Sequence, residues 1–129
     1  AMPARTAPHR ASRRPQLERR TPIVALAVAR QVVEEVARYL GVPVPPRHAA
    51  RLASRARAIY ASSPAFRARI DAPGDAGRDC LHTFMRHWLA AILKADQPGL
   101  YDQLPASFSI GKPLPASQHL SPEARLMFF

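Results

Sequence analysis

Between Asp75 and Ala95 the apolar residues Leu81, Met85, Trp88 and Ile92 recur at steps of four, three and four, the period of an α-helix and not of a strand. Phe84, Leu89 and Leu93 widen this stripe, while Arg86 and Lys94 fall away from it. An apolar face this broad has to be covered by other elements, so the segment marks the centre of a core and places Trp88 inside it.

The rest of the chain is punctuated by prolines at positions that start helices. Thr21-Pro22 has the form of an N-cap followed by proline in the first turn. After it, Leu26, Ala29, Val33, Val36 and Leu40 form a stripe that Val28 and Val32 broaden. Arg30, Glu34 and Arg38 lie four apart on the opposite side, spaced for ion pairs in water, and Gly41 supplies the stop. Val42-Pro-Val-Pro-Pro46 predicts a stiff extended link. A second helix is expected from about Pro46 to Ala61, with Leu52, Ala56, Ile59 and Tyr60 inward. Ser63-Pro64 repeats the cap-then-proline pattern and opens a short helix through Phe66 and Ile70, which Ala72-Pro-Gly-Asp75 ends.

Beyond Gln97-Pro98-Gly99 the periodicity fades. Leu100–Leu104 reads as one short helical turn. Residues 105–129 read as a Pro-rich arm with scattered apolar anchors, Phe108, Ile110, Leu114 and Leu120. Ser107–Ile110 alternates like a strand, but no second segment offers it a sheet partner. Ser121-Pro122-Glu123 starts a last helix ending in Leu126-Met-Phe-Phe129, a cluster costly to leave in water. The expectation is an all-α fold, a small bundle of four to five helices over residues 21–104. A basic arm of residues 1–20 precedes it and the Pro-rich arm of residues 105–129 follows. So small a core needs a docked arm or a dimer for stability.

Charge is the largest compositional anomaly in these 129 residues: 19 basic side chains against 9 acidic, net +10, with Lys94 and Lys112 the only lysines. It is unevenly spread. Residues 1–20 carry six arginines and Glu18, and residues 42–70 carry six arginines and no acid, whereas residues 71–104 are mildly acidic. Residues 1–20 also hold three prolines and little aliphatic content, the composition of a mobile arm. The apolar run Ile23–Ala29 behind these arginines, with Ala27-Val-Ala29, has some features of a secretion signal. The apolar pattern continues to Leu40, however, as a helix would. No apolar run approaches the ~18 residues of a membrane span. The single Cys80 permits no internal disulfide and fits a reducing, cytoplasmic setting.

Catalytic and metal chemistry finds little support. His82 and His87 are five apart and splay around their helix. Cys80 and His87 stand about 10 Å apart along its axis, too far for direct activation. Asp79 and His82 are close enough to touch. Asp71, Asp75 and Asp79 recur every four residues at a helix start, where capping explains them better than acid–base work. Gly74-Asp-Ala-Gly77 reads as a helix-entry loop more readily than an anion site, and no Walker loop occurs. Residues 46–70 have an outline of helix–turn–helix, with Phe66-Arg67-Ala-Arg69-Ile70 opening the second helix, but Ser62-Ser63-Pro64 replaces the usual turn glycine and the second helix is short, so two core helices with solvated arginines account for them better. No cofactor is implied, and an enzyme is not expected.

The functional expectation is a non-enzymatic binding module that holds DNA or RNA through arginine–phosphate contacts. The residues expected to carry it are Arg10, Arg13, Arg14, Arg19 and Arg20 of the arm and Arg47, Arg51 and Arg55 of the second helix, spaced about 6 Å apart along one side. The competing expectation is a protein–protein interaction module, a small adaptor or secreted effector, that uses its arms. An Ala- and Arg-rich coding bias would give the same composition without either role.

Overall fold

The structure, a computed structural model, describes residues 24–115. The expectations for residues 1–20, the Thr21-Pro22 start, Leu120 and the terminal Leu126–Phe129 cluster lie outside these residues. Among the described residues 75% are helical, in six helices and no strands. The helices are α1 (residues 24–40), α2 (Arg47–Ser62), α3 (Pro64–Ile70), α4 (Ala76–Asp96), α5 (Pro98–Tyr101) and α6 (Ala106–Ser109). The all-α fold stands, and α5 and α6 are single turns.

α4 is the centre of the body. Leu81, Met85, Leu89 and Leu93 are fully buried, Trp88 nearly so, and α2, α3, α5 and α6 all pack against this helix. α1 buries Ala25, Val28, Ala29, Val32 and Val36 completely, while Leu26 is only partly covered. Its inward face is therefore rotated slightly from the stripe through Leu26, and Val28 and Val32 lie at its middle. Gly41 ends α1 at φ 70°, where its N–H and that of Val42 both reach the Ala37 carbonyl. Glu34 makes no ion pair with Arg30 or Arg38 among the described residues.

α2 runs antiparallel to α4, as three side-chain pairs record: His48 with Gln97, Arg51 with Asp96, and Arg55 with Trp88. His48 is fully buried within α2. Its Nε2–H donates to Gln97 Oε1 at 3.0 Å, at the end of α4, while its Nδ1 is buried with no partner among the described residues. Ser63 caps α3 by accepting from the Phe66 N–H at 3.2 Å, with Pro64 in the first turn, the geometry its sequence predicts. The aspartates behave differently. Asp75 occupies the N-cap position of α4 but makes no side-chain cap bond, and Asp71 instead accepts from the Tyr60 hydroxyl, tying the end of α3 to α2.

Gly77 shows why α3 and α4 approach so closely. A Cβ placed there would lie 1.9 Å from the Ile70 carbonyl oxygen, so only glycine fits between the end of α3 and the first turn of α4. Past α5 the chain turns back along α4. Ser107–Ile110 is not extended but contains the turn of α6, which seats Phe108 fully in the core. With no neighbouring strand to pair with, the helical turn satisfies this backbone locally. Gly111 (φ 90°) passes against Thr83, and Leu114 reaches α1. Ile110 stays 66% exposed.

Two substitutions test this packing by urea denaturation. Gly77→Ala forces the α3–α4 backbones apart and is expected to cost about 3 kcal/mol. Trp88→Ala is expected to cost roughly 3–5 kcal/mol, and a loss under about 1 kcal/mol would deny Trp88 its place in the core.

Candidate functional site

The sequence-predicted arginines Arg47, Arg51 and Arg55 project from one exposed side of α2, as their spacing requires. Their surroundings differ. Arg47, at the start of the helix, has no side-chain partner among the described residues. Arg51 donates to Asp96 at 2.7 Å, an exposed pair that offsets part of its charge. Arg55 lies over the Trp88 ring, 5.2 Å from its centroid. Arg10, Arg13, Arg14, Arg19 and Arg20 fall outside the described residues.

Beneath Arg55 is an aromatic cluster. Trp88 and Phe84 are stacked with centroids 5.6 Å apart, and Phe66 of α3 closes on both at 6.4 and 5.3 Å. Arg69 of α3 lies over the second of the stacked rings, Phe84, at 5.6 Å. Two exposed guanidinium groups therefore rest on adjoining rings, and among the described residues neither has a carboxylate partner. The negative ring faces hold these cations in place. A stacked guanidinium keeps its N–H edge free for oxygen acceptors, which a lysine in the same place would not present as a planar fork. Arg67 is used otherwise, donating to the Tyr60 and Ala61 carbonyls at the end of α2. With Phe66 and Ile70 buried and Arg67 engaged, α3 offers only one turn or so of outward face, too little for a recognition helix.

A second polar centre lies on the other side of α4. Glu35 of α1 accepts from Arg86 Nε at 3.0 Å and from the Leu114 backbone N–H at 2.7 Å, joining three segments far apart in sequence. The pair is largely buried, with 13% and 18% of the Arg86 and Glu35 side chains exposed. Beside it opens a cleft of about 760 Å³, lined by Gln31, Glu35, Arg38, Tyr39, His82 and Arg86, with Leu114 and Pro115 on its rim. His82 Nδ1 is buried with no hydrogen-bond partner among the described residues. The proton therefore belongs on Nε2, because an N–H sealed in without an acceptor costs more than a lone pair. No hydrogen bond joins His82 to Asp79. Burial holds the His82 imidazole below its usual 6.5, with repulsion from Arg86 and then Arg78 adding to it, against weaker attraction from Glu35 and Asp79.

The remaining candidates disperse. His87 Nδ1–H donates to the Ser109 carbonyl at 2.7 Å, holding α6 to α4, and Cys80 stands as a partly covered free thiol. Gly77 is a packing glycine with the Ile70 carbonyl against it, so the α4 entry loop presents no anion cradle. Among the described residues no three His, Cys, Asp or Glu side chains come together as metal ligands, and no helix is long and apolar enough to cross a membrane. Comparison with protein families, with curated proteins and with solved structures finds no match to this chain.

Single-residue reasoning in the sequence does not reach the joining of Arg55 with Arg69, or of Glu35 with Arg86 and Leu114. Both depend on how α4 is covered. One measurement checks the second centre. In an NMR titration His82 should protonate below pH 6.5. The sign follows from the lowered folded value: the stability tied to neutral His82 is fully present above 6.5 and is lost as pH falls through the folded pKa. A His82 titrating at or above 6.5 would contradict the burial described.

Proposed function

We propose that the protein is a non-enzymatic binding module for nucleic acid, gripping the phosphate backbone through the arginine face of α2 and α3. The observation that carries this reading is the placement of Arg55 and Arg69 over the stacked Trp88 and Phe84 with no carboxylate among the described residues to neutralise either. Two guanidinium groups anchored on one aromatic cluster, neither with a carboxylate partner among the described residues, present hydrogen-bonding edges to an extended anion. A phosphodiester strand is such an anion, and Arg47 lies on the same side of α2 to extend the contact. Arg51 serves less, because Asp96 already occupies it. The basic Arg10, Arg13, Arg14, Arg19 and Arg20 add sequence-independent attraction. No base-reading group is evident, so the contacts favour phosphate over sequence.

Fluorescence anisotropy of the full chain with duplex DNA and with an RNA hairpin, across a salt series, tests this. Arg55→Gln with Arg69→Gln should flatten the log-affinity versus log-salt slope by about 1.8 on duplex DNA, at about 0.9 per phosphate contact. Arg51→Gln should change it less than Arg55→Gln does. Deleting residues 1–20 should weaken binding equally across sequences. Absence of DNA and RNA binding even at low salt would transfer the arginine face to a protein partner, the competing reading.

A further inference from the structure

The cleft between α1, α4 and the chain at Leu114 is not used by the phosphate-binding face. Positions 84 and 86 differ by about 200° around a helix, so Phe84 and Trp88 point away from His82 and Arg86. Nothing in the nucleic-acid reading needs this cleft, yet its polar groups are arranged with an economy that packing alone does not require.

Arg86 is the decisive residue. Its Nε is committed to Glu35, and no other hydrogen bond from its guanidinium is made among the described residues. Its side chain is 13% exposed and lines the cleft, and its terminal nitrogens are not among the sealed, unpartnered atoms, so its remaining N–H donors are open to what enters the cleft. Glu35 receives one bond on each oxygen, Arg86 Nε on one and the Leu114 N–H on the other, and takes no second bond from the Arg86 guanidinium. Arg38, on the same cleft, has no ion-pair partner among the described residues. His82 adds a third donor. With Nδ1 buried and unpartnered among the described residues, its proton sits on Nε2, which is not among the sealed atoms. Among the described residues the charged groups lining the cleft are thus two arginines against one carboxylate, which is already engaged by Arg86 and the Leu114 N–H. Leu114 and Pro115 give one rim an apolar character, and the volume of about 760 Å³ is that of a site for a small organic molecule.

We propose that this cleft binds a small organic oxyanion, a phosphomonoester or a carboxylate, with the anionic group received by Arg38, Arg86 and His82 and the organic body lying toward Leu114 and Pro115. Arg86 is held in place for this by Glu35, so its free edge is oriented before a ligand arrives and less ordering is needed on binding.

The test uses the full chain with phenyl phosphate, benzoate, inorganic phosphate and neutral benzamide as probes, followed by the NMR signals of the Arg86 Nε–H and the His82 ring. Phenyl phosphate or benzoate should produce saturable shifts at both residues, with a dissociation constant of about 1 mM or tighter. Arg38→Gln, an exposed change that should leave the melting temperature as it is, should weaken that binding about tenfold. Arg55→Gln, on the far side of α4, should leave it unchanged, which separates this site from the nucleic-acid face. The proposal fails if benzamide shifts the same signals as strongly, if inorganic phosphate binds as tightly as phenyl phosphate, or if Arg38→Gln has no effect. It fails also if neither organic anion moves these signals at about 10 mM.

Discussion

Burial of α4 is the constraint on which the rest of this structure depends. Leu81, Met85, Leu89 and Leu93 lose all contact with water, and no single neighbouring helix is wide enough to cover them. The chain therefore surrounds α4: α1 on the side of His82 and Arg86, α2 and α3 on the side of Phe84 and Trp88, and the segment from α5 through α6 over what remains. At roughly 1.5–3 kcal/mol for each large apolar side chain fully buried, α4 supplies much of the driving force for collapse. Both polar centres are consequences of this arrangement. Each forms where a polar or aromatic residue at the edge of the α4 stripe meets the helix brought in to cover it.

The polar clasps then fix which way the covering elements lie. Apolar burial is non-directional and would tolerate α1 sliding by a turn. Glu35 removes that freedom, because its two oxygens must meet Arg86 and the Leu114 N–H together. His48 and Gln97 do the same for α2, the buried ring giving α2 one register against the end of α4. A partly buried ion pair adds little net stability, and breaking one partner costs more than the pair contributes. Its value here lies in orientation, and in leaving the rest of the Arg86 guanidinium directed into the cleft.

What the sequence reveals divides along the same line. Local rules suffice for the element starts and stops: Ser63-Pro64, Gly41 and the α4 stripe place their helices within a residue or so, because capping bonds, positive φ and helical period are properties of short segments. They fail at Ser107–Ile110, where alternation suggests extension and the absence of a pairing strand decides for a helical turn. They fail again at His48, whose buried Nε2–H finds its acceptor in Gln97, 49 residues away. Of the two polar centres, the spacing of Arg47, Arg51 and Arg55 is legible. The partnership of Arg55 with Arg69, and the whole Glu35 cluster, require knowing which helix faces which.

The excess of arginine over lysine can be weighed residue by residue. Several positions exploit a geometry that an ammonium group lacks. Arg67 donates from one Nη to two successive helix-end carbonyls, and Arg86 bonds through Nε, its other nitrogens making no hydrogen bond among the described residues. These contacts explain arginine at those sites by the fold alone, so total charge is a poor measure of what is available to a partner. Arg51 is likewise subtracted by Asp96. Stacking on Trp88 and Phe84 explains why Arg55 and Arg69 are arginines, at ~0.5–1 kcal/mol each for an exposed site, but not why two stacked cations share one patch without an acid. A merely compositional bias would scatter arginines and leave them to find carboxylates where they could. Here α2 and α3 contain no acidic residue, and the two guanidinium groups are anchored on one aromatic cluster with no carboxylate partner among the described residues. An external anion would neutralise two surface charges that the described residues leave without a counter-ion, which is the physical reason for proposing the partner at this face.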